Sequence, residues 1–172
     1  MLDPATTPRF PNRETRYTSA YPPSPLEGAH GGVLRAALHE LYAAYADAAL
    51  STDFDGCPHC FVPSDIAYLR ATPLRDLSHG DICIVGGKLV TTLGSGADVS
   101  YFLPRLLEAL AENALVDEDP LADRMLEIPA EHWTQRRLAA VRAVLRALLQ
   151  DAYDRDDEDR AENVETLQAA VP

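Results

Sequence analysis

In three long stretches of this 172-residue chain, apolar side chains return every three or four positions, a period that suits packed helices. "GGVLRAALHELYAAYADAAL" puts Leu34, Leu38, Leu41, Tyr45 and Ala48 in one stripe. "SGADVSYFLPRLLEALAENAL" does the same with Leu103, Leu106, Leu107, Leu110 and Ala114. The longest, "AEHWTQRRLAAVRAVLRALLQDAY", aligns Leu138, Val141, Leu145, Leu148 and Ala152, which leaves Arg136, Arg137, Arg142 and Arg146 for its wet side. Asp98 or Ser100 reads as the cap of the second helix. That sets Pro104 near the first turn, where a missing N–H matters least.

Shorter segments fill the intervals. "PSDIAYLRATPLRDLSHGD" reads as two helical turns, capped at Ser64, with Asp65 at the positive helix start, and at Thr72 with Pro73 following. Ser78 with Asp81 three residues on resembles a capping box. "DEDPLADRMLEIP" is a short helix between prolines. "DICIVGGKLVTTLG" is ambiguous, because β-rich residues flank a two-glycine turn and local rules favour a hairpin. A lone hairpin is marginal without a sheet to join, and every neighbouring segment is helical.

Prolines set the domain limits. Pro4, Pro8, Pro11, Pro22, Pro23 and Pro25 forbid continuous helix, so residues 1–31 form an irregular arm with Phe10, Tyr17 and Tyr21 as apolar anchors. Residues 32–153 form the helical domain. The acidic tail, 154–172, opens with carboxylates that a helix C-terminus disfavours, which predicts a break near Asp154 to Asp159. Val164, Leu167 and Val171 then dock a short terminal helix. The predicted fold is all-α, one compact domain of about six helices, with no repeat of fixed period.

The formal charge of −12, with pI about 4.7, argues against binding a phosphate backbone and suits a basic protein partner. No apolar run approaches the roughly 20 residues of a membrane span. The N-terminus lacks the basic start and apolar stretch of a signal peptide, so the expected setting is cytoplasmic. There, cysteines are usually reduced, metal-bound or catalytic.

Two of the three cysteines lie in "DFDGCPHCFVPSD", which supports three readings. As a redox pair, Cys57-Pro58-His59-Cys60 resembles the active site of periplasmic disulfide oxidases, a likeness that requires a strand before it and a thioredoxin fold around it. As half of a zinc site, Cys57 and Cys60 are well spaced, and His79 with Cys83 is the best second half, on one face if that segment is helical. His59 and His132 are other possible ligands. As a structural turn, Gly56 and Pro58 bend the chain and the thiols pack as small hydrophobes, which is the plainest reading and needs no cofactor. His39, on a helix flank beside Leu38 and Leu41, reads as solvated.

Other motifs fail. "VGGK" lacks the earlier glycine and the Ser/Thr of a P-loop, and no G-x-S-x-G elbow occurs. No catalytic set is legible.

The stretches Gly56-Cys57-Pro58-His59-Cys60, Pro73-Leu74-Arg75-Asp76-Leu77, Thr91-Thr92-Leu93-Gly94 and Phe102-Leu103-Pro104-Arg105-Leu106-Leu107-Glu108 resemble a family of uncharacterised bacterial proteins over about a third of the chain. The resemblance implies architecture and not a reaction. It implies helix before the Thr-Thr pair, against which Gly86-Gly87 costs about 1 kcal/mol per glycine relative to alanine. An aromatic usually stands in that family where this chain has Leu93. The resemblance tips 82–93 to helix.

Overall fold

A computed structural model of the chain describes residues 24–113 and 118–172, with the backbone alone for 118 and 119. Among these residues there are seven α-helices and three 3-10 turns. In order, the helices are α1 (Gly31–Ala44), α2 (Pro63–Ala71), α3 (His79–Lys88), α4 (Gly96–Ala111), α5 (Glu118–Leu126), α6 (Gln135–Asp154) and α7 (Glu158–Ala169). The 3-10 turns cover Pro25–Glu27, Leu74–Asp76 and Ala130–His132. The all-α prediction holds. Two isolated bridges, Gly56 with Leu93 and Leu89 with Leu93, are the extended pairing among the described residues. None of the described helices is long and apolar enough to cross a membrane.

Helix α6 lies along α1 and α7, while α4 packs on α1, α3 and α5. The predicted stripes supply this core. Leu34, Leu38, Leu41 and Tyr45 are buried on α1 and at its end, and Val141, Val144, Leu145 and Leu148 on α6. The predicted break falls where the acids are: α6 ends at Asp154, Asp156 takes a left-handed backbone (φ 53°), and Asp157 caps α7 by accepting from the N–H of Arg160. Val164, Leu167 and Val171 are buried as expected. Ala114 and residues 1–23 of the arm lie outside the described residues.

Residues 79–88 are helical, which overrides the hairpin signal there, but the helix expected over 82–93 stops at Lys88 and 89–93 form a turn. Ser78 and Asp81 form a reciprocal box, Ser78 Oγ accepting from the Asp81 N–H and Asp81 Oδ2 from the Ser78 N–H. Ile82, Val85 and Leu89 then fall on one face and are fully buried. The same device starts α4 at Ser95, earlier than either predicted cap. Asp98, the third helical residue, accepts from the Ser95 N–H and hydroxyl. As a result Pro104 sits inside α4 rather than in its first turn. At α2 the cap is Val62, not Ser64, and Asp65 accepts from the Val62 N–H at 2.9 Å.

One arginine assigned to the wet side is buried. Arg137 donates to the carbonyls of Ala44 and His132 and to Asp47, with its guanidinium 4.6 Å from the Tyr45 ring centroid. A long apolar stem ending in five donors can satisfy the C-terminal carbonyl of a neighbouring helix, which helical periodicity does not register.

Asp98 is buried and also accepts from the N–H and hydroxyl of Ser51, so it ties α4 to the chain that follows α1. Replacing Asp98 by Ala orphans these donors and should cost about 2–3 kcal/mol, seen as a lower urea midpoint with an unchanged slope. Asp98→Asn should lose less.

Candidate functional site

The CPHC segment is a surface loop between the end of α1 and the start of α2, and it is held at both ends. On its N-terminal side Arg70 donates to the carbonyls of Ser51, Thr52 and Phe54. The buried Phe54 ring packs 5.9 Å from that of Phe102. On its other side runs the turn that follows α3. The Cys57 N–H donates to the Thr92 carbonyl at 2.8 Å, and the Gly94 N–H to the Asp55 carbonyl at 2.8 Å. Glycine is required at two points of this frame. A Cβ on Gly56 would meet the buried Phe61 ring at 2.7 Å, and Gly94 has a left-handed backbone (φ 58°) with Asp98 and Phe54 against it.

Within the loop, the Cys57 carbonyl accepts from the N–H groups of Cys60 (2.8 Å) and Phe61 (2.9 Å), which closes the turn. This wraps the following backbone around the Cys57 sulfur. The His59 ring Nδ1 is 3.8 Å from that sulfur. These contacts stabilise a thiolate. The His59 N–H, then its ring, and last the Cys60 N–H outweigh desolvation and hold the Cys57 thiol below its ordinary range. Cys57 and Cys60 are both half-buried, and Cys60 also packs against the hydrophobic core. The three cysteines are reduced thiols.

The other two residues of the predicted metal set lie in α3 and have partners of their own. His79 Nε2 is 2.7 Å from Glu112 Oε2. Cys83 is half-buried, and burial pushes its thiol up against the opposing effect of the Arg105 guanidinium. The structure thus brings Cys57 and Cys60 into one turn. Among the described residues, no three His, Cys, Asp or Glu side chains gather as a ligand set. Neither His79 nor Cys83 completes a set of three with the pair. The sheet that a thioredoxin-type reading demands has no counterpart among the described residues.

A second polar cluster surrounds Arg105, which periodicity alone does not single out. This buried arginine of α4 donates Nε–H to the Leu77 carbonyl and its NH1 group to Glu108 and Glu112. Tyr42 donates to Glu108 at 2.6 Å, and Arg75 stacks 3.7 Å above the Tyr42 ring centroid. Burial first, then Glu108, holds the Tyr42 phenol protonated far above its ordinary range. The cluster joins two of the stretches that carry the family resemblance, as the Cys57–Thr92 bond joins the other two. The chain matches no family model, no curated protein and no solved structure with which it was compared.

Burial works to raise the Glu112 carboxyl, but the His79 ring and the Arg105 guanidinium outweigh it, so Glu112 titrates below the ordinary Glu range. A lowered folded-state value contributes stability above the unfolded value and loses it as pH falls through the folded one. The stability difference between wild type and Glu112→Gln, read by urea denaturation, should therefore shrink from about pH 5 to about pH 3.

Proposed function

We propose that this protein is a cytoplasmic interaction protein whose acidic surface engages a basic protein segment. The observation that carries this reading is the direction in which the cations point. Arg105 and Arg137 are buried, Arg70 and Arg160 donate to carbonyls, Arg75 stacks on Tyr42, and Arg155 spans Asp151 and the Ser24 carbonyl. The exposed face of α7, by contrast, carries Glu158, Asp159, Glu162 and Glu165. Arg35, Lys88, Arg136, Arg142 and Arg146 are exposed on other elements, but α7 itself presents no exposed Lys or Arg among these carboxylates, and the formal charge of the chain is −12. Such a field raises the encounter rate with cationic partners and repels phosphate backbones.

An open apolar groove of about 380 Å³ lies at the C-terminal end of α7, lined by Leu126, Ile128, Trp133, Leu138, Ala170 and Pro172. Leu126 is 67% exposed, and the exposed Glu127 and Glu131 alternate with these lining residues along the chain. An apolar side chain set among basic ones suits this combination. Cysteines 57 and 60 stand apart from this surface in sequence and in element, and among the described residues no third His, Cys, Asp or Glu joins them as a ligand set for zinc.

Trp133 is the chain's single tryptophan, so it reports on the groove directly. Titration with a peptide of alternating lysine and leucine should shift its emission, and the affinity should fall severalfold as salt shortens the Debye length below about 8 Å. Combined Glu158→Gln, Glu162→Gln and Glu165→Gln should weaken binding at low salt, and Leu126→Asp should abolish the shift. Equal binding of an acidic counterpart peptide, or no salt dependence, would remove the reading.

A further inference from the structure

The CPHC loop holds two thiols in unlike environments only three residues apart, and its main chain is pinned on both sides. From this juxtaposition we propose that Cys57 and Cys60 form a thiol–disulfide exchange site, with Cys57 as the attacking thiol, Cys60 as the resolving thiol, and a small-molecule or protein disulfide as the oxidant. This site is separate from the acidic surface and does not depend on it.

The asymmetry of the pair carries the assignment. Cys57 is half-buried, with the backbone of the turn lowering its thiol and the His59 ring Nδ1 3.8 Å from its sulfur. Such a cradle favours negative charge on sulfur, the form that attacks a disulfide. Cys60, half-buried like Cys57, differs in packing against the apolar core, and it lies one turn from Cys57. A metal half-site would have both sulfurs turned alike toward one ion. A merely packed turn has no need of an imidazole beside one of its sulfurs.

The chemistry balances without any other group. The Cys57 thiolate attacks one sulfur of an external R–S–S–R. That S–S bond breaks, and its electron pair leaves on R–S⁻, which takes a proton from solvent. Cys60 then gives up its proton, and its thiolate attacks the Cys57 sulfur of the mixed disulfide. The Cys57–Cys60 bond forms as the second R–S⁻ departs and is protonated. The chain has lost two electrons and two protons, and the external disulfide has gained them. The bonds from Thr92 and Gly94 keep the loop in place throughout, because they use backbone groups that the reaction does not touch.

Cys83 is the internal control. It is half-buried on α3 near Arg105, and burial raises its thiol, so it should react slowly with the same oxidant. The test incubates the reduced full chain with oxidised glutathione, traps remaining thiols with a maleimide and maps the peptides by mass spectrometry. Wild type should yield a Cys57–Cys60 disulfide with Cys83 alkylated, and release two glutathione thiols per chain. Cys60→Ser should stall with glutathione on Cys57, and Cys57→Ser should leave Cys60 unmodified over the same interval. Three results would overturn the proposal: glutathione retained on Cys57 of the wild type, no adduct in Cys60→Ser, or modification of Cys83 as fast as of Cys57. Should a serine variant lose its helical circular dichroism, substoichiometric iodoacetamide on the wild type decides instead. Cys57 must then be labelled at least roughly tenfold faster than Cys83, and equal labelling sinks the assignment.

Discussion

Helix α4 is enclosed on nearly every side, and that burial sets terms for the rest of the molecule. Val99, Phe102, Leu103, Leu106, Leu107 and Leu110 supply the apolar contacts toward α1, α3 and α5. The same helix also buries Asp98 at its start and Arg105 in its middle. A charge in such a place is tolerated only when it is fully bonded, because its desolvation is otherwise uncompensated. The partners therefore have to come to α4. Ser51 reaches Asp98 from the chain after α1, and the Leu77 carbonyl reaches Arg105 from the chain before α3. Two loops are thus fixed by the needs of one helix.

The three helices from α2 to α4 share a starting device that explains how so many turns fit between them. Asp65, Asp81 and Asp98 each occupy the third position of a helix, accept from the N–H of the cap residue, and are buried. A carboxylate there satisfies an otherwise orphaned donor and sits at the positive end of the dipole. With its start secured in this way, α3 tolerates three glycines and ends without a glycine cap. The chain leaves it through Val90, whose φ of 64° is uncommon for a β-branched residue and costs of order 1–3 kcal/mol. What holds Val90 there is the turn it belongs to, closed by its N–H on the Leu93 carbonyl and by Thr92 and Leu93 on the Lys88 carbonyl. The Thr92 carbonyl of this turn is the one that receives the Cys57 N–H.

The readable parts of the fold were those in which a repeating apolar period coincides with burial. The stripes of α1 and α6 and the break at Asp154 are of this kind, since period and dipole penalty both act locally. Residues 81–94 were harder, because strand propensity and a two-glycine turn are local as well, and only the buried face of α3 decides against them. Helix starts slipped at Ser95 and Val62 for a related reason: the decisive acceptor is a buried aspartate three residues on, not the residue with the best capping side chain. Arg137 was placed on the wrong side because its stem follows the polar period while its head finds the Ala44 carbonyl of another helix. At the candidate site, the pairing of Cys57 with Cys60 was legible from spacing. The placement of the His59 ring beside the Cys57 sulfur was not, since it depends on a turn pinned by a segment more than thirty residues away in the chain.

The four stretches that carry the family resemblance close into two bonded pairs. Cys57 N–H to Thr92 joins the first and third, and Arg105 to Leu77 joins the second and fourth. Most of their side chains are spent on this scaffold. Leu77, Leu93, Phe102, Leu103, Leu106 and Leu107 are buried, Arg105 and Glu108 bond each other, and Arg75 covers Tyr42. The scaffold accounts for those residues without further purpose. It uses the backbone of Cys57 but asks nothing of the sulfur, and it leaves His59 exposed. That sulfur is half-buried, stands 3.8 Å from the His59 ring Nδ1, and belongs to a thiol held below its ordinary range. Had the loop required only a small apolar residue at position 57, alanine would have made the same bond to Thr92. The thiol–disulfide exchange proposed for this loop would draw on that sulfur, with the helices acting as the frame that keeps it presented.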